Sequence, residues 1–240
     1  MKQKHILLSF GASFLAITLL LAVLFGISEK TILPHTAVDT SPIELPVILL
    51  DAGHGGEDSG AVGTSGVLEK ELNLSLSQDL AALLRLAGYP VVETRTEDRL
   101  LYTEGTKKGH KKQGDLTNRL KFTEQYPNSI FISIHMNTYP LANCEGVQVW
   151  YSQNTPASKE WAQAVQDRVT ALLQPQNHRR IKAANSSIYI LHHAKTPALL
   201  IECGFLSTPA ECERLCDPAY RQKLVLALFS AISEKYPQQS

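Results

Sequence analysis

Histidine and glutamate stand in this chain where strand-length apolar runs stop, and these residues set the chemistry to be explained. The run Val47-Ile48-Leu49-Leu50 breaks into Asp51-Ala52-Gly53-His54-Gly55-Gly56-Glu57, a glycine-rich turn that carries one histidine. A second histidine, His135, follows Phe131-Ile132-Ser133-Ile134, and Glu202 follows Ala198-Leu199-Leu200-Ile201. A histidine in a glycine turn says little alone, because glycine serves any sharp bend. A histidine ending a second apolar strand and a glutamate inside a third say more, since burying such groups is costly unless partners are supplied. A metal ion is one such partner. Glu69 opens a helical stretch beyond the loop that follows His54, so its carboxylate can fold back toward that imidazole. Two imidazoles, a carboxylate and an open position form the usual ligand set of a catalytic zinc, which lowers the pKa of bound water toward about 7 and polarises a carbonyl. Glu202 is then the carboxylate that is not a ligand and can move protons.

Side chains from three separate runs meet only if those runs lie side by side. From Val47 onward, strand-length apolar runs alternate with helix-period segments, which predicts an α/β fold: a single three-layer domain with a mostly parallel mixed sheet flanked by helices. In open sheets of this kind, ligands bind beyond the carboxyl ends of the strands, where His54, His135 and Glu202 stand. Glu69 to Leu86 places Leu72, Leu76, Leu80, Leu83 and Leu84 on one stripe, and Gly88 stops the helix. The expectation continues with a strand from Val91 to Arg95, a polar loop from Thr96 to Gly114, and a short helix capped by Asp115. Strands at Gly146–Tyr151, Ile188–Leu191 and Pro197–Cys203 follow, with helices at Pro156–Leu173 and Ala219–Lys235. Gln148 and Tyr151 are expected at the surface or on a cleft wall. His192 and His193, adjacent on the expected Ile188 strand, would point to opposite faces and could not share one ion easily.

The chain has 240 residues, 44% of them hydrophobic and 19% charged, enough for one sizeable domain with accessories. Its formal net charge of zero gives no footprint of nucleic-acid binding. The cysteines at 144, 203, 212 and 216 form no C-x-x-C pair. Ile6 to Ser28 is an uncharged apolar run long enough to span a bilayer, with Lys2 and Lys4 before it. The basic flank stays in the cytoplasm, so the remainder is expected outside, anchored to the membrane by an N-terminal transmembrane helix. Cleavage as a signal peptide is the rival reading, and it too exports the domain. The expected organisation is therefore a stub and anchor over residues 1–29, a linker over 30–46 and a catalytic domain over 47–236.

The stretches DAGHGGEDSGAVG, LEKELNLSLS, VVETR, FISIHMNT and PALLIECGFLSTPAE resemble, in order, the motifs of the zinc-dependent N-acetylmuramoyl-L-alanine amidases of the amidase-3 type. The resemblance runs from about Val47 to Ile232. It implies zinc held by His54, Glu69 and His135, with Glu202 as the catalytic carboxylate and peptidoglycan as substrate. Ala52 stands where proline is common and Thr208 where asparagine is common; neither replaces a ligand. Glu104-Gly105-Thr106-Lys107, its basic continuation through Lys112, and Asp115, Leu116 and Arg119 look like the membrane-anchored subgroup that acts on the spore cortex. That subgroup frees muramic acid for δ-lactam formation, in some species with a lipoprotein partner. Some relatives also carry an inhibitory helix between the second histidine and the catalytic glutamate. Here that interval is filled by expected strands and one helix, so the cleft is expected to be open.

Three other readings stand beside this one. A general wall amidase in cell separation or autolysis would use the same site. A zinc carboxypeptidase is suggested by the H-x-x-E spacing of His54-Gly55-Gly56-Glu57, which would put Glu57 rather than Glu69 on the metal. A non-catalytic wall-binding protein would have no need of Glu202. Lys107, Lys108, Lys111 and Lys112 are either a solvated charged loop or a contact for substrate carboxylates or a partner.

Overall fold

The computed structural model describes residues 45–103, 105–140 and 144–236. The apolar run Ile6–Ser28 lies outside them, and among the described residues no helix is long and apolar enough to cross a membrane. The chain order is β1 (Val47–Ala52), α1 (Glu69–Leu86), β2 (Val91–Glu93), α2 (Lys111–Gln125), β3 (Ser129–Asn137), β4 (Gln148–Tyr151), α3 (Pro156–Leu172), β5 (Lys182–Ala183), α4 (Tyr189–His193), β6 (Ala198–Phe205), α5 (Pro209–Cys216) and α6 (Pro218–Lys235).

The six strands form one mixed sheet in the order β2-β1-β3-β6-β4-β5. β1 is parallel to β2 and β3, and β3 to β6, while β4 runs antiparallel to β6. The path leaves β1 for β2 on one side and returns to β3 on the other, so the carboxyl ends of β1 and β3 flank a topological switch point, where α/β sheets open a crevice.

Alternation along the strands divides the core. Ile48, Leu50, Ile132, Ile134, Val149 and Ile201 pack with the apolar faces of α1, α3, α5 and α6. Leu49, Phe131 and Ala198 face the other way, onto Leu116 and Leu120 of α2 and Ile190 and Leu191 of α4. Each of the fully buried leucine, isoleucine, valine and phenylalanine side chains stabilises the fold by about 1.5–3 kcal/mol. Of the expected α1 stripe, Leu72, Leu76, Leu80 and Leu84 are buried, whereas Leu83 is only partly buried at its edge. Gly88 ends the helix in a left-handed turn (φ 83°) that returns the Tyr89 N–H to the Leu84 carbonyl.

Several expected elements differ. β2 stops at Glu93, because Thr94 and Arg95 turn inward: the Thr94 hydroxyl donates to Asp51 and the Arg95 guanidinium to the carbonyl of Ala52. α2 begins at Lys111, so Asp115 lies inside the helix and caps nothing. Its carboxylate is buried, accepting from the Leu101 N–H and from Arg119 one turn on. Ile188–Leu191 is not a strand but leads into α4, a helical turn that brings Ile190 and Leu191 onto the α2 side of the core. Short apolar runs do not separate the two states. The outer strand position belongs instead to β5, whose two residues are exposed. Gln148 is buried rather than at the surface, its side-chain amide donating to the Arg180 carbonyl.

Candidate functional site

Four chain segments bring their polar groups to the switch point. β1 ends at Ala52, and His54 follows with φ 60°, the left-handed residue other than glycine among the described residues. A side chain in that region is strained, and the strain persists only where the surroundings over-determine it. Glu69 is the first residue of α1. The helix has no side-chain cap; its first N–H groups are taken instead by the preceding loop, Glu69 N–H by the Ala61 carbonyl (2.9 Å) and Lys70 N–H by that of Ser59 (3.1 Å). The loop after His54 is thereby bound to the helix that carries Glu69. His135 lies near the end of β3, where the pairing with β6 shifts register, and Glu202 is its partner on β6. In-register neighbours on adjacent strands project to the same face, about 4.8 Å apart.

Glu69 Oε1 lies between the imidazoles, 3.2 Å from His54 Nε2 and 3.0 Å from His135 Nδ1. The candidate ligand atoms of these residues all lie within 4.8 Å of one another. Backbone groups fix the carboxylate further, with Oε2 accepting from Ala61 N–H (2.8 Å) and Oε1 from Met136 N–H (3.1 Å). Two glycines make the cradle. A Cβ on Gly53 would fall 2.3 Å from the His135 ring, and one on Gly60 would fall 2.6 Å from Glu69 Oε2 and 2.8 Å from His54 Cδ2. Both imidazoles keep 19% side-chain exposure, so the cluster opens to solvent.

The electrostatics call for positive charge. Burial alone would raise Glu69, but His135 and His54 hold its carboxyl far below the usual range. Burial alone would lower His54, yet Asp58 and Glu69 lift its imidazole to about 9. Asp58 Oδ2 is 3.0 Å from His54 Nδ1 without hydrogen-bond alignment, a charge contact rather than a directional bond. A divalent cation held by these residues would supply positive charge beside the Glu69 and Asp58 carboxylates. Glu202 differs. Burial pushes its carboxyl up to about 7, and its Oε2 is buried with no hydrogen-bond partner. Such an orphan is costly in a folded protein and calls for a role.

The structure thus brings His54, Glu69, His135 and Glu202 to one sheet edge. It does not bring Glu57, the rival ligand, which turns outward to Lys111 at 3.2 Å. His192 and His193 are exposed on α4, their rings 4.9 Å apart. The basic segment is partly structural: Lys111 reaches Glu57 and Lys112 reaches Asp58 (3.4 Å), tying the start of α2 to the histidine turn. A separate cleft of about 680 Å³, walled by Glu145, Gln174, His178 and Arg179, contains none of the four residues; its inner carboxylate, Glu211, is already bonded to the N–H groups of Gly146 and Phe205. Sequence reading noted Arg95 and Arg119 only within family-like stretches and gave neither a role at the β1 tip. Arg95 and Arg119, 1% and 2% exposed, donate to the carbonyls of Ala52, Gly53 and His54. The signal that could have assigned the role was an arginine directly after a strand-length apolar run and another on the apolar stripe of α2 with Leu116 and Leu120.

Residues 48–234 match the family described as N-acetylmuramoyl-L-alanine amidase. The chain is 34% identical over 192 residues to the germination-specific N-acetylmuramoyl-L-alanine amidase of Bacillus subtilis, covering 80% of each. It is 28% identical to the B. subtilis N-acetylmuramoyl-L-alanine amidase LytC, over 82% of this chain and 36% of LytC. Among solved structures it resembles the CwlD amidase from Clostridioides difficile in complex with the GerS lipoprotein. That match has a TM-score of 0.75 and 33% identity, over 79% of this chain and 97% of that one.

Proposed function

The chain belongs to the N-acetylmuramoyl-L-alanine amidase family, and from that premise we propose that it is a zinc-dependent member. It hydrolyses the amide between the lactyl group of N-acetylmuramic acid and L-alanine during maturation of the spore cortex. The observation that carries the reading is the carboxylate oxygen of Glu69 between His54 and His135, with Glu202 one strand away. The donor set of two imidazoles and one carboxylate, its ligand atoms all within 4.8 Å of one another, suits zinc.

His54, Glu69 and His135 would hold the ion. When bound, zinc supplies Lewis-acid polarisation of a carbonyl and lowers the pKa of a coordinated water. Glu202 takes the proton of the attacking water and delivers it to the departing amine of L-alanine. A carboxyl lifted to about 7 by burial can accept and return a proton near neutral pH. Gly53 and Gly60 leave room for the imidazole and carboxylate that a side chain would displace.

Digestion of purified peptidoglycan, followed by mass spectrometry of the products, tests this. Intact stem peptides beginning with free L-alanine, lost on chelation, are expected; release of terminal D-alanine would favour the carboxypeptidase. The cortex role is supported by the likeness to the germination-specific amidase. Removing stem peptides bares the lactyl carboxyl from which muramic δ-lactam forms after deacetylation. A deletion strain should make cortex without that lactam. Normal lactam with chained vegetative cells would favour a general wall amidase. Ile6–Ser28 anchors the domain on the outer side of the cytoplasmic membrane, where a lipoprotein partner can meet it, as GerS meets CwlD.

A further inference from the structure

Three successive carbonyls at the β1 tip are taken by guanidinium groups rather than by a strand. The Ala52 carbonyl accepts from Arg95 Nε at 2.8 Å and from Arg119 Nη1 at 2.7 Å. That of Gly53 accepts from Arg95 Nη2 at 3.0 Å, and that of His54 from Arg119 Nη2 at 2.7 Å. Arg119 is anchored in turn by Asp115 through Nε (2.7 Å) and by Asp51 through Nη1 (2.5 Å). Asp51 is itself fixed by the hydroxyls of Ser133 (2.5 Å) and Thr94 (2.6 Å). Two buried like charges sharing one carbonyl are an unfavourable way to fill space, and apolar side chains would close the same gap with less desolvation. What the arginines add is direction. The fork of Arg119 meets acceptors on Asp51, Ala52, His54 and Asp115 that no single ammonium could reach together.

The residue so gripped is His54, whose backbone is left-handed. Its carbonyl is held by Arg119, while its imidazole is held by Glu69 and flanked by Asp58. We infer that Arg119, with Arg95 beside it, is a positioning residue: it pins the His54 peptide in the conformation that turns the imidazole toward Glu69 and His135. This rests on the proposed metal-binding reading of that cluster. Arg119→Lys keeps a positive charge for Asp51 and Asp115 but frees the His54 carbonyl. A purely structural arginine would change stability and leave the metal site alone.

The test uses the purified full-length chain, metal-free and then titrated with zinc against a chromophoric chelator, with cobalt absorption as a report of ligand geometry. Arg119→Lys is expected to weaken zinc by about 10- to 100-fold, the usual effect of losing an outer-sphere partner, and to alter the cobalt spectrum. Leu228→Ala, a truncation in the core of α6 that lowers the melting temperature, should bind zinc as the unaltered chain does. If Arg119→Lys does not fold, Arg95→Lys, which releases Ala52 and Gly53 but not His54, should show a smaller loss of affinity. Unchanged affinity in whichever variant folds overturns the inference, as does an equal loss in Leu228→Ala. An unaltered chain that takes up neither zinc nor cobalt overturns the metal reading itself.

Discussion

At the scale of single residues the site divides into groups held from every side and one left free. Glu69 accepts from two backbone N–H groups and faces two imidazoles, whereas Glu202 has an oxygen with no partner. Bound groups suit ligation, and an unengaged carboxyl suits proton transfer. Glu202→Gln keeps shape and removes the base, so zinc content should persist while turnover falls roughly 100-fold or more. Metal analysis showing zinc lost in parallel would make Glu202 a ligand and reverse the division of roles. The rival ligands separate in the same way: Glu69→Gln should lose most bound zinc and Glu57→Gln should keep it, because Glu57 is engaged with Lys111 at the surface. The residues proposed for the site stood out in the sequence because each lies at the end of an apolar strand or the start of a helix, where polar side chains need a reason. Arg119 was not legible as a support. A helical arginine reads as a solvated charge until the fold shows that its face is turned toward the sheet.

At the scale of elements, β1 and α2 are joined through the Asp51–Arg119 pair, both members about 2% exposed. Burial alone would raise the Asp51 carboxyl, but Arg119 and the Ser133 and Thr94 hydroxyls outweigh it and hold the pKa below the ordinary value of 3.8. A carboxyl depressed in the folded state contributes stability that is fully present above its unfolded pKa, near 3.9, and is lost as pH falls through the folded value. Asp51→Asn should therefore cost about 3–5 kcal/mol at pH 7, the usual penalty for breaking a buried pair. Urea unfolding at a series of pH values should show the gap to the unaltered chain narrowing below pH 4; a gap independent of pH would mean that the charge is not what stabilises. Gly60 tests the loop. At φ 65°, and with an added Cβ 2.6 Å from Glu69 Oε2, Gly60→Ala should lose zinc while the domain stays folded. Near-UV circular dichroism would check folding and metal analysis the loss. The long elements were legible, since α1 and β1 carry unbroken period and strong boundaries. The start of α2 was not: lysines in the first turn oppose the helix dipole, and what permits them is the distant pair Glu57 and Asp58. Likewise α4 was expected as a strand because a short apolar run has no period to read, and its state is set by packing on Phe131 and Ala198.

At the scale of the whole molecule, the strand order decides what the motifs can do together. The reversal between β2-β1 and β3-β6 puts the tips of β1 and β3 side by side, and residues 81 positions apart in sequence, 54 and 135, meet there with the first residue of α1. Alternating strand and helix patterns predicted a parallel sheet. The placement of β4 and β5 beyond β6 depends on long-range pairing that local sequence does not encode. Because β1, α1 and β3 belong to different layers or strands, an ion held by His54, Glu69 and His135 would cross-link the fold as well as serve the reaction. Binding to the folded state alone stabilises by about 4 kcal/mol at a thousandfold excess over the dissociation constant. For a domain of this size each kcal/mol is worth about 2–4 °C. Zinc should accordingly raise the melting temperature of the full-length chain by roughly 8–16 °C over its value in chelator. His135→Ala should abolish the difference and Glu202→Gln should retain it, since only the first removes a ligand. Equal melting of the unaltered chain with zinc and with chelator would mean that the three residues do not bind the ion tightly.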